Sequence, residues 1–432
     1  MLTSLYTGMS GMFVNGLSLS VIADNISNMN TIGFKGNTVA FGDVLSQILT
    51  GSSSQVGRGV LVSRISPQFT QGSLAMTGNA LDLAIYGDGF FMVKDGATRY
   101  YTRAGQFSLD KNGNIVNPDG LVLQGLLADQ SGNITGTVGD LKIGTEMSAG
   151  KQTASATISV NLNSAAVAFP SDKPFTLDSN KDGVNNDPAN FNYSTSTTVY
   201  DSQGGAHTVT LYFVKSGTNA WSVHYVQDDP ANSGRLIDAG TQSLTFNTNG
   251  ALVNDHSGTP VSFNFGTSVT TPQQITFNYG QGTGETPPGN GLDGTTQFGS
   301  DFTVKNLSQD GYAAGTLSNM TLSEDGIITG IFTNGQTRRI GQIALAKFVA
   351  PTGLAKLGRN LFGETYESGQ PIVGSAGTSG LGSVLSGSLE LSNVDLATEF
   401  VKMITAQRGF QANSRIITTT DELLQELVNL KR

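Results

Sequence analysis

Every seventh residue from Leu396 is apolar, so that Leu396, Met403, Phe410, Ile417 and Leu424 form one unbroken row near the end of the chain. That spacing keeps one face of a helix on a partner. Phe400, Ile404, Ala406, Leu427 and Val428 widen the row into a stripe. Ser392, followed three residues later by Asp395, supplies a start signal: a side-chain cap for the first free amides and a carboxylate at the positive helix end. Lys431 and Arg432 close the far end with the matching sign. A helix of this span is about 55 to 60 Å long, too long to lie on one small domain. The β-branched run 416–420 is its weak point, where Thr419 with Glu422 suit a second start.

The N-terminus mirrors this pattern. Leu5, Met12, Leu19 and Ile26 fall at sevens, and Leu2, Met9, Ile22 and Met29 thicken the row into a second amphipathic helix over about 3–30. No charged side chain precedes Asp24 and the first cation is Lys35, so a signal peptide or membrane span has to be weighed. The missing basic flank and the Thr, Ser, Asn and Gly interruptions argue against both. Gly8, Gly11 and Gly16 each cost a helix interior up to about 1 kcal/mol relative to alanine. This helix is therefore marginal alone, and its natural partner is the C-terminal stripe of its own or a neighbouring subunit. Two readings follow: a two-helix core packed on one domain, or a coiled coil made only on assembly. A net charge of −9 argues against nucleic acid or an anionic membrane as partner. With no cysteine, a disulfide scaffold, a thiolate nucleophile and a thiolate metal site are excluded.

Between the ends the apolar period falls to two. Residues 36–70 loosen into a connector, with Gly51-Ser52-Ser53-Ser54 as exposed loop and 60–65 as a strand; 366–387 is its counterpart on the return. From 71 to 148, runs such as Phe90-Phe91-Met92-Val93 and Leu121-Val122-Leu123 alternate with turn signals: Asp110-Lys111-Asn112-Gly113, Asn117-Pro118-Asp119-Gly120 and Ser131-Gly132-Asn133. That spacing is the mark of an all-β body. Residues 149–294 are dominated by Ser, Thr and Asn, with long alternating strands at 207–214 and 221–226 around a hairpin loop, 215–220. Strands at 243–247, 261–265 and 274–279 complete a separate β domain, and a Gly- and Pro-rich linker, 280–294, ends it. Runs at 302–304, 327–332 and 343–348 then return to the first style. The expected fold class is multidomain. Long terminal α-helices, 1–35 and 388–432, pair as a coiled coil, with two nested mainly-β domains inserted between them: 71–148 with 295–365, and 149–294 inside that.

Candidate chemistry is thin. His207, His224 and His256 are the only histidines, and the first two sit in strands as face residues. No HExxH, G-x-S-x-G or P-loop pattern occurs. Gly289-Asn290-Gly291-Leu292-Asp293-Gly294 fits a dinucleotide fingerprint by letter but follows Pro287-Pro288 in a linker, without the strand and helix that fingerprint needs. Asp178, Asn180, Asp182, Gly183 and the carbonyl of Val184 follow the spacing of a calcium loop, yet its last ligand position holds Ala189 instead of a bidentate glutamate. An ordinary Asp/Asn/Gly surface loop is the stronger reading. No metal, cofactor or catalytic residue is assigned, and no enzyme activity is expected.

The ends also carry a resemblance. The helix exit Asp24-Asn25-Ile26-Ser27-Asn28-Met29-Asn30-Thr31-Ile32-Gly33-Phe34-Lys35 resembles the N-terminal signature of the flagellar rod and hook axial protein family, usually written with Asn-Asn where this chain has Asp24-Asn25. Asn393-Val394-Asp395-Leu396 and Gln407-Arg408-Gly409-Phe410-Gln411-Ala412-Asn413-Ser414 resemble its C-terminal signature. Gly87-Asp88-Gly89-Phe90-Phe91, Tyr101-Thr102-Arg103-Ala104-Gly105 and Gly363-Glu364-Thr365 extend the likeness over most of the chain except 149–294. Asn25, Asn28 and Asn30 suit a helix exit whose side chains bond nearby backbone, and Gly33 suits a sharp turn. The resemblance implies a structural subunit of the bacterial flagellar hook, stacked helically into a curved tube that serves as a flexible universal joint between rod and filament. It implies an extracellular location reached by flagellar export without a cleaved signal peptide. Implied partners are further copies of the chain, the hook cap, the distal rod, the hook–filament junction proteins and the export apparatus, with no membrane insertion. A distal rod or hook-associated axial subunit is the alternative within the family; a calcium-dependent extracellular β-rich adhesin or enzyme is the alternative outside it. Leu5, Met12, Leu19 and Ile26, with Leu396, Phe400, Met403, Phe410, Ile417 and Leu424, are the expected assembly interface.

Overall fold

The structure is a computed structural model describing residues 2–44, 57–129, 131–143, 147–169, 175–177, 191–232, 235–255 and 259–429. Two compact units emerge: Met1–Thr145 with Ser318–Ile331 and Thr337–Arg432, and Glu146–Leu317 with Phe332–Gln336. The first holds both helices, α1 (Leu2–Ser27) and α2 (Leu396–Asn429). Beside them the strands Asn37–Asp43 and Val60–Pro67 pair antiparallel, with a bulge between Ala40 and Phe41.

The first unit's β body is built on an antiparallel sheet in which Thr337–Lys347, Val122–Ala128, Phe90–Asp95, Thr98–Thr102, Leu361–Gly363 and Ala355–Gly358 neighbour one another in that order. The continuous apolar run Phe90-Phe91-Met92-Val93 is buried on both faces. Phe90 and Met92 enter one core with Tyr101, Ala346, Phe348 and Phe362, while Phe91 meets Phe107 edge-on at 5.4 Å. A strand lying inside a unit reads as such a run because neither face meets water. The turns repeat one device. Asp110 Oδ1 accepts the amides of Asn112 and Asn114, Asn117 Oδ1 those of Asp119 and Leu121, and Asp129 Oδ1 those of Ser131 and Asn133. The left-handed position of each turn falls on glycine: Gly113, Gly120 and Gly132, all at φ 82.

The second unit packs two sheets around a single core. Tyr193–Tyr200, Ala206–Gly217, Ala220–Asp228, Leu236–Phe246 and Leu252–Asn254 form an antiparallel meander in chain order. Ser155–Asn163 centres the other sheet, parallel to Gln273–Asn278 and Thr296–Phe298 and antiparallel to Thr303–Gln309. Alternation along the long hairpin sends Val209, Leu211 and Phe213, with Trp221, Val223 and Tyr225, into the core between them. Two polar contacts cross this core: Trp221 Nε1 donates to Gln297 Oε1 at 2.8 Å, and the hydroxyls of Tyr225 and Tyr279 lie 2.7 Å apart.

Several sequence expectations change here. The hairpin loop expected at 215–220 tightens, because the strands run to Gly217 and from Ala220, and Asn219 takes the left-handed turn position at φ 58. Residues 280–294 do not end a domain. Their glycines pack against the unit, with a β-carbon on Gly294 falling 2.0 Å from the Tyr279 carbonyl oxygen. Thr303–Gln309, read as a return to the first β style, is a strand of the second unit. His207 and His224 each lie 2.8 Å from a carboxylate, Asp201 and Asp238 respectively. The proposed calcium loop at Asp178, Asn180 and Asp182, and His256, lie outside the described residues. Among the described residues no group of three or more His, Cys, Asp or Glu is placed to hold a metal ion.

Candidate assembly interface

α2 begins at Leu396, later than the cap expected at Ser392. The stretch ahead of it is already committed. Glu390 belongs to the strand Ser388–Glu390, the Leu391 amide donates to Ser73 O, and the Asn393 side chain accepts from the Gly36 amide at 2.9 Å while donating to Gln68 O at 2.8 Å. Asp395 is therefore the cap, its Oδ1 accepting the Thr398 amide at 2.7 Å. Hydrogen bonds from Thr398, side chain and amide, hold the Asp395 carboxyl below the usual carboxylate range. Nor does α2 break at 416–420. The hydroxyls of Thr418 and Thr419 donate to Arg415 O and that of Thr420 to Ile416 O, so each returns a bond to its own helix. One helix of 34 residues results, about 51 Å long.

The two helices run antiparallel, Gly8 lying by Ile417, Gly11 by Asn413 and Gly16 by Phe410. Glycine is what lets them approach. A β-carbon on Gly11 would fall 2.7 Å from the Asn413 side chain, and one on Gly409 would fall 2.9 Å from Asn15 Oδ1. The two contacts are reciprocal. Asn15 Nδ2 donates back to Gly11 O at 2.7 Å and Asn413 Nδ2 to Gly409 O at 2.9 Å, so each amide folds onto its own helix over the other's glycine. The helix cost read from Gly8 and Gly11 thus has a return that only the pair reveals. Asn15, which no spacing singles out, is half of that arrangement.

The apolar rows are placed unevenly. Leu5, Met12, Leu19 and Ile26 are half-buried, while Val14 and Ile22 beside them are the buried apolar residues of α1. On α2, Met403, Ile417 and Leu424 are half-buried, whereas Leu396, Phe400 and Phe410 are exposed, as are Gln407 and Arg408. Along the row from Leu396 to Leu424 burial alternates as far as Ile417: Met403 is already half-buried, and Phe410, although exposed, lies 3.9 Å from where a β-carbon on Gly16 of α1 would fall. Tyr6, Met9 and Phe13 stand open on α1, at 60%, 51% and 71% exposure. By length and composition alone, Thr3–Ser27 also meets the requirement for a membrane-crossing helix.

Where α1 ends, the signature residues hold three pieces of chain together. Asn25 is buried, and its side chain exchanges two hydrogen bonds with the Asn37 backbone at 2.8 and 2.9 Å and donates to Glu399 Oε2 at 3.2 Å. It is a clamp between α1, α2 and the strand Asn37–Asp43, more than the helix stop expected of it. Asn28 does act locally, donating to Asp24 O at 3.0 Å and accepting the Thr31 hydroxyl at 3.1 Å; Asn30 is exposed. Gly33 has φ 69, and a β-carbon there would fall 2.5 Å from the Ala104 amide nitrogen, so both backbone angle and space demand glycine. Phe34 is buried beneath the Lys356 ammonium, 5.3 Å from its ring. Lys35 is buried too, with Nζ 2.6 Å from Glu390 Oε1 and 2.7 Å from Thr70 O. Arg103 Nη1 takes the other oxygen of Glu390 at 3.2 Å, and the Gly72 amide donates to Oε1 at 2.9 Å. Burial lowers the pKa of both cations, opposed by Glu390.

Sequence signatures of four flagellar families match along the chain: Flagella basal body rod protein at 5–35, Flagellar hook protein FlgE/F/G D1 domain at 84–167, Flagellar basal body protein FlaE D2 domain at 161–312, and Flagellar basal body rod FlgEFG protein C-terminal at 385–430. The flagellar hook protein FlgE of Borreliella burgdorferi is 38% identical over 457 residues, covering 100% of both chains. That of Escherichia coli is 36% identical over 98% of each. The crystal structure of Helicobacter pylori flagellar hook protein FlgE2 aligns with 73% of this chain and 100% of its own at 16% identity and a TM-score of 0.48. Identity at the level of the first two relatives, sustained from the first helix to the last, shows that the chain belongs to the flagellar hook protein family.

Proposed function

We propose that this chain is the subunit of a bacterial flagellar hook, polymerising into a curved tube that works as a flexible joint between rod and filament. The observation that carries the reading is full-length identity to flagellar hook proteins, in a chain whose two ends form one helix pair with apolar side chains left open. In the tube, residues 1–35 and 388–432 line the inner layer through coiled-coil contacts of Leu5, Met12, Leu19 and Ile26 with Leu396, Phe400, Met403, Phe410, Ile417 and Leu424. Residues 36–70 and 366–387 connect them to two nested β domains that form the outer shell, the inner insertion reaching about 317. Only 13% of residues are charged, so subunits sliding past one another during bending have few ion pairs to break. The subunits leave the cell through the flagellar export apparatus with no cleaved signal peptide and meet the hook cap, the distal rod and the junction proteins. Electron microscopy of the purified, polymerised protein tests this. Curved tubes are expected; straight rods would favour a distal rod subunit, and soluble monomers alone would overturn both.

A further inference from the structure

Beside the helix pair lies a groove of about 310 Å³, lined by Ile22 of α1, Ala406 of α2 and Val39 and Phe41 of the strand Asn37–Asp43, and by the charged side chains of Glu399 and Lys402. These two charges cancel, Lys402 Nζ lying 2.7 Å from Glu399 Oε1. Phe41 remains 54% exposed. A groove without net charge, lined by these apolar side chains together with the uncharged polar ones of Asn15, Ser18, Thr38 and Thr405, takes an uncharged guest, since an ionised side chain entering it is desolvated without a partner.

The first unit carries such a guest. Tyr6, Met9 and Phe13 stand open along one line of α1, in a stretch with no charged residue before Asp24. Tyr6 and Phe13 precede the groove-lining Asn15 and Ile22 by nine residues each, which is two and a half helical turns. Stripe and groove therefore occupy opposite faces of α1, and the stripe cannot reach the groove of its own chain.

We infer that the stripe of Tyr6, Met9 and Phe13 on one copy seats in the groove walled by Ile22, Val39 and Phe41 on a second copy. This rests on the hook-subunit reading and deepens it by naming which surface meets which. Two different patches on opposite faces make a heterologous contact, which repeats head to tail and, where its rotation does not close into a ring, builds the open helical polymer that the hook-subunit reading requires.

The chain has no cysteine, so introduced thiols report one contact at a time. Phe13→Cys and Phe41→Cys, carried on separate full-length chains, are mixed, polymerised, oxidised and run on a non-reducing gel; a disulfide needs Cα atoms within about 7 Å. A mixed dimer is expected from the polymerised mixture and from neither chain alone, nor from Phe13→Cys with Tyr366→Cys at a fully exposed position elsewhere on the unit. Tubes that form without the mixed link, or in which Phe13→Cys links chiefly to itself, overturn the stripe-to-groove contact and leave the hook-subunit reading standing. Should either variant fail to polymerise, Met9→Cys with Thr38→Cys decides the same question by the same outcomes. Unaltered protein that never forms tubes overturns both readings together.

Discussion

Glu390 sits with no exposed surface between Lys35 and Arg103, so one carboxylate answers two buried cations. Glu390→Gln keeps the shape and removes the charge, leaving Lys35 buried without its carboxylate and Arg103 with only the attraction of Asp88. Breaking a buried pair from one side costs about 3 to 5 kcal/mol. A clear fall in the thermal midpoint of the full chain is expected by circular dichroism, and an unchanged midpoint would show that this node does not clamp the first unit. Residues such as these mark the limit of reading by spacing. Lys35 stands in a recognisable signature, yet its partner lies 355 residues away, and Arg103 is drawn to the same carboxylate from a third segment. Gly33 was legible as a sharp turn because glycine's backbone freedom is a local property. Its second requirement, the closeness of Ala104, is made only in space.

At the scale of elements, helix existence and strand alternation were legible, and helix ends were not. The start of α2 moved to Asp395 because Asn393 is engaged by Gly36 and Gln68, contacts with no trace in the local sequence. The heptad row is legible as a row, but which of its members are covered is not: Leu396 and Phe410 are exposed, while Met403, Ile417 and Leu424 are half-buried. The long alternating strands of the second unit were plain, whereas 280–294 misled because Gly and Pro mark close packing as readily as a linker. The core of this unit, from Ala156 to Phe277 and Tyr279, lies within 147–317. A fragment of residues 147–317 is therefore expected to fold alone and melt cooperatively. Trp221, the single tryptophan, is fully buried and reports the transition by fluorescence. A flat thermal trace with random-coil circular dichroism would count against an independent β domain.

For the whole molecule, the two ends of the sequence meet as one helix pair, and assembly is argued to run through that pair. Ile417 tests the link. It lies against Gly8, whose β-carbon would fall 3.2 Å from Ile417 Cγ1, on a row whose members are half-buried or open in the single chain. Full burial of an isoleucine contributes about 1.5 to 3 kcal/mol, so part of that contribution is left to be gained when copies pack. Ile417→Asp removes it and sets a carboxylate against a stretch of α1 that has no charged side chain before Asp24, where desolvation adds to the lost packing. The β cores do not contain this residue. Sedimentation is expected to show tube formation abolished, while β-sheet melting by circular dichroism and the fluorescence of Trp221 stay as in the unaltered protein. Loss of both together would mean that the helix pair supports the fold of the monomer. Tubes that sediment normally would mean that the stripe is not an assembly interface, and the hook-subunit mechanism would have to rest on the β domains instead.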